Sequence, residues 1–382
     1  MHTPPVSSPS DTQARLLLVS TRGMRNDVSR CLTYEFEDAV ASTENALLLA
    51  PGLVDRSQTF LNKVLKTLGP WTGTDLRLRP TPVAHVEVPK SNFELTLVVI
   101  QSIRDLYDLE KVKGWSNAAP KSFCLIEEVW VNNVSRKDVV LLEKFDHIIL
   151  NCRHAVEPLR ARIDVPITYL PPSVDMHRFC PQDINRARPI DAFSMGRRNA
   201  KDHQHLLERC RNNQNFFYLY DSVRFASAID PLQHRELLAN AIQRTKWFPV
   251  NRAKIDEPSV SSRQEEVGFR YFEGAAAGAV MIGEKPNSPT FEEHFGWTDS
   301  VLASAKGESI LDVIDMLEAD PTRVAKIRRR NVAHSLRRHD PSYRYRAILD
   351  LAELTPTPQL SYRIEMLHAR ADALDGSMPL PI

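Results

Sequence analysis

The chain has 382 residues, 42% of them hydrophobic and 25% charged, with a formal net charge of +1. That balance is normal for a globular chain of about two domains, and it excludes a general nucleic-acid or membrane-surface binder while allowing a local basic cleft. The five cysteines (Cys31, Cys124, Cys152, Cys180, Cys210) form no Cys-x-x-Cys pair, which excludes a zinc or disulfide framework and fits a reducing compartment; no apolar run approaches the ~20 residues of a membrane span.

Met1–Gln13 is rich in Pro, Ser and Thr and reads as a disordered lead-in, not a signal peptide. Arg15–Ser20 is a short apolar run, expected as a buried first strand. The loop after it, Thr21–Asn26, holds one glycine, Gly23, and Asn26 or Asp27 is placed to cap a helix running to about Ser42. Ala46–Ala50 is a second strand, ended by Pro51-Gly52, and a helix over about Gln58–Leu68 follows. Thr72–Lys90 is irregular. Leu95–Ile100, Ser122–Ile126, His147–Leu150 and Pro166–Leu170 read as further strands. Glu127-Glu128 stand at the end of one of them, and Asn151-Cys152 lead from another into a helix to Ala161. Apolar strands alternating with helical segments predict a parallel sheet covered by helices on both faces.

Pro171–Pro181 is a stiff, Pro-bounded connector, taken as the hinge between domains. A second α/β series has strands at Ile190–Met195, Phe216–Tyr220, Lys246–Val250, Ala279–Ile282 and Ser300–Ala303. Helices are expected over Asp202–Cys210, Leu232–Ile242 and Gly268–Ala277. After Ser309 the chain turns helical, with runs at Ile310–Ala319, Pro321–Arg337, Pro341–Leu354 and Tyr362–Leu374. The resulting division is a lead-in over 1–13, one domain over 14–176, a second over 177–345, and C-terminal helices over 346–382 that return to the first domain. Two such domains with a hinge predict a ligand cleft between them.

The stretch Ser261–Glu284 is the most telling part of the second series. Its helix carries Glu273 among Phe269, Phe272, Gly274 and three alanines, where a solvated helix would carry more charge. An unpaired buried carboxylate is costly. Glu273 therefore needs partners, either the hydroxyls of a sugar or ribose, or a neighbouring arginine or backbone group. The helix start is a natural phosphate site, and Arg270 adds a two-pronged cation. Gly278 supplies the helix stop.

Three landmarks resemble the GT-B fold glycosyltransferases, above all the large retaining family 4, "glycosyl transferases group 1". Tyr169-Leu170-Pro171-Pro172-Ser173-Val174-Asp175 through Phe179-Cys180-Pro181 is similar to the family's linker. Ser194-Met195-Gly196-Arg197-Arg198-Asn199-Ala200-Lys201 looks like its Gly-Arg…Lys signature. Glu265 and Glu273, with Gly268 between them, resemble its E-x7-E motif. The tail over Asp312–Leu349, with His339-Asp340-Pro341, is also similar. The resemblance covers about Asp146–Leu349 in motifs and Arg15–Phe145 only as a pattern.

The resemblance implies two Rossmann-like parallel-sheet domains facing each other across a cleft, with C-terminal helices. It implies transfer of a sugar from a nucleotide-diphosphate donor to a glycan, lipid or small-molecule acceptor, with retention and without metal or other cofactor. Arg197 or Arg198, with Lys201, would neutralise the diphosphate; Glu273 would hold the ribose; Glu265 would lie near the transferred sugar. Gly196, Gly268, Phe269 and Arg270 complete the donor side, and Gly23, Glu127, Glu128 and His154 are the acceptor-side candidates. Arg270-Tyr271-Phe272-Glu273 also resembles a sister group with an Arg-x-Phe-Glu pattern and no required first Glu, which would leave Glu265 without a role. The family's Gly-Gly loop after the first strand is replaced by Thr21-Arg22-Gly23-Met24. The alternatives are a sugar epimerase or phosphorylase on the same fold, or a non-catalytic nucleotide or glycan binder. No nucleic-acid partner is expected. The expected location is cytoplasmic, with peripheral membrane contact left open. His203 and His205, two apart on a helix, are poor joint metal ligands. Arg328-Arg329-Arg330 and Arg337-Arg338 read as solvated surface, and Trp247 and Trp297 as packing.

Overall fold

A computed structural model describes residues 14–51, 88–110, 112–222, 227–261, 264–303 and 308–376. The expected lead-in, the helix over Gln58–Leu68, most of the irregular stretch before Lys90 and the Pro-rich tip lie outside them. The chain divides into two units. The first runs to Asn151 and resumes over Val156–Tyr169; the second holds Cys152–Ala155 and everything from Leu170.

In the first unit, β1 (Leu16–Val19), β2 (Ala46–Leu49), β3 (Leu95–Ile100), β4 (Lys121–Ile126), β5 (His147–Leu150) and β6 (Ile167–Tyr169) form a parallel sheet in the order β2-β1-β3-β4-β5-β6. Every residue of β1 and β3 is buried. Covered on both faces, such strands have no polar side to show, so they read as unbroken apolar runs. Among the described residues its helices are α1 (Cys31–Thr43), α2 (Leu106–Leu109), α3 (Arg136–Leu142) and α4 (Val156–Arg160). Helix α1 starts later than expected. A 3-10 turn over Val28–Arg30 comes first, and the Asp27 side chain caps nothing. Helix α3 was not foreseen, although Ser135 and Asp138 form a capping box at its start.

In the second unit, β7 (Ile190–Ser194), β8 (Tyr218–Tyr220), β9 (Thr245–Val250), β10 (Val280–Gly283) and β11 (Val301–Leu302) form a parallel sheet in the order β11-β10-β9-β7-β8. Around it lie α5 (Met176–Phe179), α6 (Ala200–Asn212), α7 (Pro231–Gln243), α8 (Pro258–Ser261), α9 (Phe269–Ala276) and α10 (Pro289–Phe295). The closing run is α11 (Ile310–Glu318), α12 (Pro321–Leu336), α13 (Pro341–Leu351) and α14 (Pro358–Gly376). The connector is not extended throughout: Asp175 caps the short α5, accepting from the His177 N–H at 3.0 Å. Arg363 of α14 bridges Asp175 and the fully buried Asp340 at 2.8 Å each. This ties α14 to the start of the same unit.

Both sheets reverse direction next to their first strand, between β1 and β3 and between β7 and β9. Ligands of open parallel sheets bind outside the carboxyl ends of the strands at such switch points. Helix α9 is set flush on the second sheet. A Cβ at Gly274 would stand 2.6 Å from Phe248 Cδ1 and 3.0 Å from Met281 Sδ. The helix ends in a Schellman arrangement: the Gly278 N–H donates to Ala275 and the Ala279 N–H to Gly274, with Gly278 at φ +62°. The chain is thus an α/β protein of two Rossmann-like parallel sheets with C-terminal helices.

Candidate functional site

The loop leaving β7 carries Gly196, Arg197, Arg198 and Asn199. Gly196 has φ +81°, a left-handed conformation that favours glycine. Asn199 caps α6 by accepting from the N–H groups of Lys201 (2.9 Å) and Asp202 (3.2 Å). The Gly196 N–H donates to Asp221 Oδ2 at 3.0 Å, and Arg198 donates to the Asp221 carboxylate and, at 2.7 Å, to its carbonyl oxygen. Asp221 directly follows β8. A Cβ at Gly196 would lie 3.5 Å from Arg270 Nη2, so the first turn of α9 stands against this loop. Arg270 Nη1 donates to Glu273 Oε2 at 2.6 Å. Gly196, Arg198, Asp221, Arg270 and Glu273 therefore form one connected group at the carboxyl end of the sheet.

Glu273 is 1% exposed, and its other oxygen accepts from Arg235 of α7, itself 2% exposed. Both carboxylate oxygens are engaged by arginines. Of the two kinds of partner left open by the sequence, the protein's own cations fill the role in this structure. The Arg235 guanidinium also lies 4.5 Å from the Phe179 ring centroid. One residue before Arg235 is His234, whose pKa is lowered by burial and then by Arg235 and Arg270. Its neutral ring adds no positive charge to the two arginines. Lys201 is exposed at the start of α6 and makes no ion pair among the described residues.

The two arginines of the β7 loop separate. Arg198 joins the group above, with its Nη1 buried and without a hydrogen-bond partner. Arg197 turns to the loop after β9, pairing with Asp256 and, at 2.6 Å, with Glu257. Glu265 lies with a second set of loops: it pairs with Arg252, and its Oε2 accepts the Asn287 N–H at 3.1 Å. Gly268 precedes α9 where the backbone runs close, since a Cβ there would be 3.3 Å from the Asn251 carbonyl oxygen. Phe269 opens the helix, half-buried.

Glu266 was passed over in the sequence, yet it is 3% exposed and more constrained than Glu265. Its Oε2 accepts the Arg153 N–H at 3.0 Å and its Oε1 the His154 N–H at 2.9 Å. Asp221, Arg235 and Arg252 were also missed. Asp221 had a usable signal, a carboxylate directly after a strand; Arg235 had none, being one cation in an ordinary amphipathic helix.

In the first unit, Gly23 (φ +77°) is exposed in the loop after β1. Glu127, after β4, is 6% exposed and accepts from the Thr33 hydroxyl at 2.6 Å; burial pushes its pKa up to about 8. Glu128 is half-buried beside it. Thr33 and Glu37 are one turn apart on α1. Glu37 is fully buried, accepting from Ser20 at 2.7 Å and from Arg22 at 2.9 Å. Elsewhere, His203 bonds Tyr218 rather than sharing a ligand with His205, and Trp297 stacks on His334 with 4.5 Å between centroids.

The two parallel sheets and this edge can be compared with known proteins. Residues 197–350 match the family described as glycosyl transferase-like. The matched span includes Arg198, Lys201, Asp221, Arg235 and the α9 segment. Among solved structures, HepE of Anabaena, crystallised with UDP and glucose, is similar at 13% identity and TM-score 0.52, covering 89% of this chain and 100% of its own. Sucrose-phosphate synthase of Thermosynechococcus elongatus matches at 11% identity and TM-score 0.46, covering 96% and 100%. A glycosyltransferase of Rickettsia africae matches at 11% and 0.46, covering 88% and 97%. No curated protein matches the chain. Among the described residues, no helix is long and apolar enough to cross a membrane.

Proposed function

We propose that the second unit binds a nucleoside-diphosphate sugar at the carboxyl ends of β7, β8 and β9, and that the protein transfers the sugar to an acceptor hydroxyl with retention and without metal. The observation that carries this is the meeting of Gly196 with Arg270. It brings Arg270 against the loop that carries Arg198 and leads into α6, where Lys201 makes no ion pair among the described residues. Bond breaking leaves the C1–O electron pair on the diphosphate, and fixed cations stabilise that developing charge. The acceptor oxygen bonds to C1, and its proton passes to the leaving phosphate. Glu273 serves the donor by fixing Arg270; a direct ribose contact requires Arg270 to yield one oxygen. Arg197 and Glu265, each held by a neighbouring loop, are assigned supporting roles. Gly23, Glu127 and Glu128 are assigned to the acceptor.

The HepE complex makes UDP the first probe. Calorimetric titration with UDP, GDP, ADP and dTDP is expected to find at least one ligand. Arg198→Gln and Lys201→Ala are each expected to weaken it about tenfold or more, the loss of one charge-assisted contact. Unchanged affinity in both variants removes the proposal. The full engagement of Glu273 favours a second reading, a nucleotide binder without turnover; slow donor hydrolysis by the wild type, lost in Arg270→Gln, decides against it. The cytoplasmic setting remains part of the proposal, resting on the scattered free thiols.

A further inference from the structure

We propose that His154 is a catalytic residue of this site, contacting the leaving diphosphate as an imidazolium, and that Glu266 is the residue that positions it. This rests on the donor reading above. His154 lies in the helical turn Arg153–Ala155, just beyond the carboxyl end of β5. This turn belongs to the second unit. Glu266 clamps it through the two backbone N–H groups described above, and Gln264 Nε2 donates to the same carboxylate at 3.0 Å.

The His154 ring faces Glu266 as well. Its Nδ1 stands 3.6 Å from Glu266 Oε1 and is buried, without a hydrogen-bond partner. One third of the side chain is exposed, at 33%. The carboxylate stands on the Nδ1 side of the ring, which leaves Nε2 as the nitrogen able to donate to a ligand. The Glu266 carboxylate raises the His154 pKa, with the neighbouring Glu265 adding to it. Other charged or titratable groups nearby are Arg153, Glu293, which lies 3.8 Å from Arg153, and the half-buried, neutral His294, whose pKa burial, Arg344, Arg338 and Arg153 lower.

Glu266 favours the charged form of the ring, and a cation beside the segment leading into α9 suits an anion. Glu266 immediately follows Glu265 and leads into α9 through Val267 and Gly268, so the dyad stands at the approach to the helix that carries Arg270. In the transfer step, the C1–O bond to the β-phosphate breaks, the C1–O bond to the acceptor forms, and the acceptor proton goes to the phosphate. The His154 Nε2–H donates a hydrogen bond to the oxygen that gains the electron pair and keeps its own proton.

The test has two arms on the full chain. In the first, proton NMR follows the His154 ring through a pH titration. The expected result is a pKa above 6.5 in the wild type that falls in Glu266→Gln. An unchanged titration overturns the dyad. In the second, the affinity of UDP, GDP, ADP and dTDP is compared in wild type and His154→Gln at pH 6 and pH 8.5. The wild-type advantage is expected to be at least fivefold at pH 6 and to shrink at pH 8.5. His154→Gln keeps the Glu266 clamp on the backbone, so it reads the ring without unfolding the turn. Binding with a flat ratio overturns this inference alone; no binding of any nucleotide to the wild type overturns the donor reading, and this inference with it.

Discussion

Glu273 and Arg270 show how one turn of helix divides structural from functional duty. Glu273 sits between a buried guanidinium, Arg235, and a half-buried one, Arg270. Glu273→Gln takes the carboxylate charge away from Arg235 while leaving that cation inside the protein. Breaking a buried pair on one side costs about 3–5 kcal/mol, so urea unfolding is expected to show a loss of that order. Arg270→Gln removes a side chain that is 28% exposed. It is expected to cost no more than about 1 kcal/mol, as partly exposed pairs do, yet to weaken nucleotide diphosphate binding about tenfold. If Arg270→Gln destabilises as much as Glu273→Gln and leaves binding intact, Arg270 is a structural partner and not a ligand of phosphate. The local sequence showed that Glu273 needed partners and that Arg270 was one candidate. It gave no sign of Arg235, which is 38 positions away.

At the scale of elements, α9 places the site, and Gly274 sets how closely α9 lies on the sheet. A methyl group at Gly274 meets the Phe248 ring at 2.6 Å. Gly274→Ala is therefore expected to cost about 1–3 kcal/mol, as overpacking of a tight core does, and to lift the start of α9 away from the β7 loop. Thermal unfolding and UDP affinity are expected to fall together. A variant with native stability would show that the helix has slack at this point. Gly283 is stricter: at φ +152° its added Cβ would lie 2.0 Å from the Val250 carbonyl oxygen, a position no side chain can share. Gly283→Ala is expected to yield little folded protein by circular dichroism. Strands and long helices were legible because burial imposes a period on the sequence. The 3-10 turn before α1 and the short α5 were not, since each is set by a few local hydrogen bonds that leave no period behind.

Across the whole molecule, buried titratable groups tie stability to pH in opposite directions. His294 and His334 of the second unit are both lowered to about 4, burial being the largest cause. Unfolded histidines bind protons from about pH 6.5 downward and these do not, so the unfolded chain holds more protons between pH 6.5 and 4. Stability therefore falls as pH falls through that window, by more than about 1 kcal/mol for the pair. His334→Phe, which keeps the stack on Trp297, is expected to flatten the slope in urea titrations at pH 4.5 and 6.5. Glu127 of the first unit works the other way. Its folded carboxyl holds a proton to about pH 8, while the unfolded group loses it near its ordinary value of 4.5. Stability then declines as pH climbs between these values, and Glu127→Gln is expected to recover about 1–3 kcal/mol at pH 8.5; an unchanged pH profile would mean that Glu127 is ionised in the folded chain. By itself the sequence determined two parallel sheets, the Gly196–Arg198 loop and the α9 segment, because strand burial, helix caps and glycine stops are written within a few residues of where they act. Only the tertiary structure decided that Arg198 and not Arg197 joins Arg270, that Arg235 neutralises Glu273, and that Glu266 grips His154 across 112 positions. Such charge pairs form where the sheet brings distant loops together, and Coulomb attraction between distant residues leaves no local pattern in either one.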